Sequence, residues 1–104
     1  MGEIYSQLGV TRRHPYTGEV ILSYSEVRTV VERLAITKEA VILGGDVLTL
    51  ADKHTYDNWY YEPNETIPWP NLVAQSCEHT LQYIGQLDQP DKKHYILVLT
   101  ERSK

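Results

Sequence analysis

Cys77, Glu78 and His79 stand side by side, a thiol, a carboxylate and an imidazole of the kinds that serve nucleophilic catalysis. Neighbouring residues on a helix diverge by about 100°, so the three do not face one another. Cys77 shares an apolar register with Val73 and Leu81 and reads as a buried, inert thiol. No catalytic residue is assigned, and the expectation is a protein that is not an enzyme. His14, His54, His79 and His94 show no His-x-x-x-His or His-Glu-x-x-His spacing and there is no cysteine pair, so no metal and no cofactor is expected. Asp46 and Asp57 flank a turn. Facing each other across a hairpin they would suit acid–base work or Mg²⁺ binding. Gly44-Gly45-Asp46 lacks the Lys and Ser/Thr of a phosphate-cradling loop. The favoured role is structural, with both carboxylates serving backbone N–H groups around the bend.

A second constellation is YDNWYYEPNE, residues 56 to 65. It sets four rings (Tyr56, Trp59, Tyr60, Tyr61) among Asp57, Asn58, Glu62 and Glu65, with no Lys or Arg. A dry core takes the rings but not the carboxylates. Strand alternation puts Asp57, Trp59 and Tyr61 on one face and Asn58, Tyr60 and Glu62 on the other. Trp59 and Tyr61 are the core candidates. Tyr60 and Glu62 then point outward, with Glu65 and Trp69 following in a loop. Exposed rings supply contact area at protein interfaces, and carboxylates steer a basic partner. A well-packed aromatic edge on a solvated sheet has the same composition.

The elements that must position these residues follow from pattern. Ser23-Tyr24-Ser25-Glu26 fits a capping box. Val27, Val30, Val31, Leu34 and Ala35 then recur at helical spacing, giving a helix over about 24–35. Ala40 to Leu43 is an apolar strand, interrupted by Gly44-Gly45 and resumed by Val47 to Leu50. A Gly pair inside a strand marks a bulge, a bend or a close backbone approach. A turn at 51–54 leads to a strand from Tyr56 to Glu62, which completes a hairpin. Pro63 to Pro70 is a proline-rich loop, and Pro70 suits the first turn of a helix. Leu72, Val73, Cys77, Leu81 and Ile84 predict that helix over about 70–85. Tyr95 to Leu99 reads as a mid-sheet strand buried on both faces. Glu3 to Leu8 fits a short strand or a helical turn. The order predicts one α+β domain over residues 1–104, with a small antiparallel or mixed sheet packed against two helices.

Charge narrows the partner. Net charge is −4, and all of the excess lies in residues 46–69, where Asp46, Asp52, Asp57, Glu62 and Glu65 face only Lys53. Nucleic acid, which needs a basic face, is disfavoured, and a basic protein is favoured. The single cysteine suits a reducing compartment. Neither a basic–apolar leader nor an apolar run of membrane-spanning length is visible, so the expected location is cytoplasmic, with no membrane partner.

Leu43-Gly44-Gly45-Asp46-Val47, followed by Thr55-Tyr56-Asp57-Asn58-Trp59-Tyr60, resembles the bacterial immunity protein family numbered forty. These are small cytoplasmic proteins encoded beside polymorphic or contact-dependent growth inhibition toxins. The resemblance extends from the helix near Tyr24 to the strand at Ile96. It implies that the chain binds one cognate toxin domain and blocks it. Many such toxins are nucleases, whose active surfaces are basic. The shared residues Gly44, Gly45, Asp46, Tyr56, Asp57, Asn58 and Trp59 are expected to serve folding. The toxin is expected to meet residues 52 to 69, with Tyr60 and Trp69 as anchors and Asp52, Glu62 and Glu65 as charges. Two rival readings are a small metal-assisted enzyme using Asp46 and Asp57, and a homo-oligomeric structural domain that buries its rings against itself.

Overall fold

The structure, a computed structural model, describes residues 3–101. Its elements are α1 (Glu3–Gln7), β1 (Leu22–Ser23), α2 (Tyr24–Thr37), β2 (Ala40–Leu48), β3 (His54–Tyr60), α3 (Trp69–Gly85), a 3₁₀ turn (Pro90–Lys92) and β4 (His94–Glu101). The strands form one antiparallel sheet in the order β1-β4-β2-β3. The fold is α+β, and its sheet has no parallel pair.

Local chemistry sets the helix limits. At the start of α2 the Ser23 hydroxyl accepts the Glu26 N–H at 3.2 Å, and the Glu26 carboxylate accepts the Ser23 N–H at 2.8 Å. Such a reciprocal cap is worth about 1 kcal/mol. Lys38 closes α2 in the left-handed region, at φ 58°, and its N–H reaches the Leu34 carbonyl at 2.8 Å. Pro68 and Pro70 fix the entry to α3, where their missing N–H groups leave no helical bond unmade. Val27, Val30, Val31 and Leu34 of α2 are buried, as the spacing predicts.

On α3 the buried stripe is Leu72, Val73, Ser76, Cys77, Thr80 and Ile84. Leu81, expected inside, is 40% exposed. Its place on the inner face goes to Ser76 and Thr80, whose hydroxyls serve buried polar groups of the sheet. The Ser76 hydroxyl accepts the Ile42 N–H at 3.0 Å and donates to the Val73 carbonyl at 2.9 Å. Ile42 needs that acceptor because the β2–β4 register shifts between Ile42 and Gly44. A backbone N–H left unpaired there would cost about 1–3 kcal/mol.

Both long helices cover one face of the sheet. Val27, Val31, Leu34, Val73, Cys77 and Ile84 join Val47, Trp59, Tyr95 and Leu97 in the main core. A smaller cluster of Ile21, Leu48 and Ile96 lies on the opposite face. Residues 11–21 close over that end. Arg13 bridges Val20, and the His14 N–H donates to the Glu19 carbonyl at 2.8 Å. The His14 Nδ1 accepts the N–H groups of Tyr16 and Thr17 at 3.2 and 3.4 Å, and its ring lies 5.5 Å from that of His54. The cover ends before Val98, which is 45% exposed. β4 is therefore mid-sheet as expected, but it is not buried on both faces along its length.

Candidate partner-binding surface

The β2–β3 hairpin carries the candidate site, and its glycines explain its shape. Gly45 pairs with Trp59 across the strands. A Cβ on Gly45 would lie 2.4 Å from the indole and 2.5 Å from the Ile96 carbonyl oxygen. The ring lies flat over the place where a side chain would be. Gly44 has φ 148°, and a Cβ there would lie 2.1 Å from the Trp59 carbonyl oxygen. Only glycine fits either position. Trp59 is 3% exposed, donates its indole N–H to the Thr80 hydroxyl at 3.3 Å, and stacks on Tyr83 at 5.2 Å. Tyr61 leaves the strand toward the helices and donates its hydroxyl to the Gln75 side chain at 2.9 Å. Burial pushes the Tyr61 and Tyr83 hydroxyls above the ordinary phenol value, so both stay neutral donors.

The other side of the hairpin is open. Asp46 pairs with Asn58, and Gly44 lies between Tyr60 on β3 and Val98 on β4. Tyr60 is 79% exposed and Tyr56 is fully exposed. A groove of about 450 Å³ runs here, lined among others by Leu43, Gly44, Asp46, Tyr60, Glu62 and Val98, with no Lys or Arg in its wall among the described residues. β3 is also an edge strand, so among the described residues its outer side meets no other strand. Asp57 neighbours Asn58 in the chain and therefore points to the face opposite Asp46. The two carboxylates do not meet, which removes the geometry an Asp46/Asp57 enzyme would need. Among the described residues no group of three or more His, Cys, Asp or Glu is placed to hold a metal ion. Cys77 is buried, its thiol lies 3.7 Å from the Val31 carbonyl, and burial raises its pKa.

The five residues expected at an interface fall in four places. Tyr60 and Glu62 line the groove. Glu65 is exposed in the following loop, beside a turn in which Asn64 Oδ1 accepts the Thr66 N–H at 3.0 Å. Trp69 is half-buried against the core and donates its indole N–H to the Lys38 carbonyl at 2.6 Å, which ties the end of α2 to the start of α3. Asp52, at φ 63° in the hairpin turn, accepts from the Arg12 guanidinium and from His94 Nδ1, the latter at 2.7 Å. The Arg12 hydrogen bond, reinforced by His94, holds the Asp52 carboxyl below the usual carboxylate range. This network staples residues 11–21 to the hairpin turn and to the start of β4.

Sequence pattern alone does not find Asp46 or Val98 as groove residues. Val98 needs the strand order, and Asp46 needs the register.

These features define a small α+β domain whose polar core groups serve the fold and whose sheet carries an open, acidic, ring-bearing groove on the face away from the two long helices. The family model of Immunity protein 40 matches residues 6–100, and the chain belongs to that family. Immunity proteins neutralise cognate toxins by binding them and are in general not enzymes. No curated protein and no solved structure matches the chain. No helix among the described residues is long and apolar enough to cross a membrane.

Proposed function

We propose that this protein neutralises its toxin by covering a basic surface of the toxin domain with the open face of the β2–β3 hairpin, inside the cytoplasm of the producing cell. The observation that supports this reading is the coincidence of exposed Tyr60 with Asp46 and Glu62 around a groove whose described lining has no Lys or Arg. Rings in such a setting supply the desolvated centre of an interface, and carboxylates at the rim steer the encounter. A nuclease is the toxin class this surface suits best, because a site that holds phosphates is itself cationic. Glu65 extends the negative rim. Asp52 and Trp69 act from within, holding the two ends of the segment that carries Tyr60 and Glu62.

The test is charge reversal. The variant carrying Glu62→Lys and Glu65→Lys is mixed with the cognate toxin domain in stopped-flow and calorimetric titrations. Slower association with a weaker salt dependence is expected, with an unchanged melting temperature. Association identical to wild type at every ionic strength would remove this face from the interface.

A further inference from the structure

We propose that the groove over Gly44 is a seat for a single arginine side chain of the partner protein, with its guanidinium stacked on Tyr60 and paired with Asp46. This rests on the reading above and specifies it. Three features of the groove select that occupant.

The first is shape. Gly44 has no side chain and stands between Tyr60 and Val98 on the neighbouring strands. The groove over Gly44 has the Tyr60 ring on one side and the aliphatic Val98 on the other, and no Gly44 side chain can fill it, because the place of a Cβ there is taken by the Trp59 carbonyl. A flat, weakly hydrated group on an aliphatic stem fits between such walls better than a compact, strongly hydrated ammonium.

The second is charge. Asp46 is one cross-strand step along the same face, diagonal to Tyr60 at the roughly 7–8 Å that such neighbours keep. Among the described residues its carboxylate has no hydrogen-bond or ion-pair partner, and the ion pairs they do form both go to Asp52. None of their buried side-chain oxygens lacks a partner, so the half-buried Asp46 keeps its oxygens open to the groove. Asp52 has its cation within the chain, whereas among the described residues Asp46 has none.

The third is the wall. Glu62 adds a second negative charge, Asn58 beside Asp46 adds a neutral amide, and Leu43 and Pro63 are apolar. An anionic or purely apolar group would meet uncompensated carboxylates there. A guanidinium can satisfy Asp46 through two N–H groups while its plane covers the Tyr60 ring.

The experiment uses the whole chain, labelled with ¹⁵N, and small probes in place of the partner. N-acetyl-arginine methylamide is titrated against its neutral isostere N-acetyl-citrulline methylamide, with amide shifts as the readout. The arginine probe should shift Gly44, Asp46, Asn58, Tyr60 and Val98 in a saturable way. Citrulline should bind about tenfold more weakly, as should arginine to Asp46→Asn. Tyr60→Leu should also weaken arginine, and this second variant alters only an exposed ring. Asp57→Asn, on the opposite face, should bind arginine as wild type does. Equal binding of arginine and citrulline, or shifts gathered away from Gly44, would overturn the proposal. If that happened while the Glu62→Lys, Glu65→Lys variant still lost toxin association, the seat would fall and the interface reading would stand.

Discussion

The two faces of the β2–β3 hairpin use the same short motif for opposite purposes. On the helix side Gly45 and Trp59 are locked together, with Thr80 and Tyr83 closing around the indole. On the other side Gly44, Asp46, Asn58 and Tyr60 face an uncovered groove. The residues alternate along both strands, so one stretch of sequence builds a core wall and a binding wall at once. The lesson is that a motif shared for folding and a surface used for recognition need not be separate segments. They can be the odd and even positions of the same strand.

That contrast is open to attack by mutation. The largest effect belongs to the closed face. Trp59→Ala should cost about 3–5 kcal/mol of stability, read from urea unfolding with an unchanged slope, because it empties a cavity and strands the Thr80 hydroxyl. Gly45→Ala should cost about 1–3 kcal/mol or more by forcing the indole off its seat. If either variant unfolded like wild type, the closed face would not be the structural half of the motif.

Tyr60→Ala should show the reverse pattern. Its stability should stay within about 0.5 kcal/mol of wild type, while toxin binding weakens by about 2 kcal/mol or more in calorimetry. A smaller effect is expected at the rim. The Glu62→Lys, Glu65→Lys variant should slow association about tenfold at low salt, and the difference should shrink as salt rises.

The smallest effect is at the staple. Asp52→Asn should cost about 0.5–1 kcal/mol near neutral pH, since the pair with Arg12 is partly exposed to solvent. Its pH dependence has a fixed sign. The Asp52 carboxyl is held below its unfolded value of about 3.9. Its stabilisation is therefore complete above that value and disappears as pH falls through the lower folded value. Wild type and Asp52→Asn should converge in acid, as followed by melting temperature from pH 7 down to about 2.

Much of this molecule is legible in the sequence where the controlling interactions are local. The capping box at Ser23 and Glu26 fixes the start of α2 within one residue. The valine stripe names its buried face, and Pro70 marks the entry to α3. The Gly44-Gly45 pair announces a bulge, a bend or a close approach, and the strand has both a register shift at Gly44 and a close approach at each glycine. Trp59 and Tyr60 separate correctly into buried and exposed by simple alternation.

What pattern could not supply is long-range. Asp52 meets Arg12 and His94 only because residues 11–21 fold back over the sheet. Seen as sequence, Asp52 is just another acid in an acidic segment. Leu81 sits in apolar register, yet Ser76 and Thr80 take the inner face of α3 because the bulge at Ile42 and the indole of Trp59 need hydroxyl partners. Trp69 looks like a free ring in a proline-rich loop until its N–H is seen to reach the Lys38 carbonyl. Val98 appears buried from its apolar neighbours, and only the limit of the 11–21 cover exposes it. In each case a contact or a limit of cover elsewhere in the fold decided the position of a residue whose own neighbourhood was uninformative.

One experiment reaches the central claim directly, namely a footprint of the cognate toxin domain on ¹⁵N-labelled protein, read as amide shift and line-broadening changes. The account predicts that the changes gather on the open hairpin face at Asp46, Tyr56, Asn58, Tyr60, Glu62 and Val98, and that the outer surfaces of α2 and α3 stay silent. A footprint confined to the helices, with those hairpin amides unmoved, would contradict it.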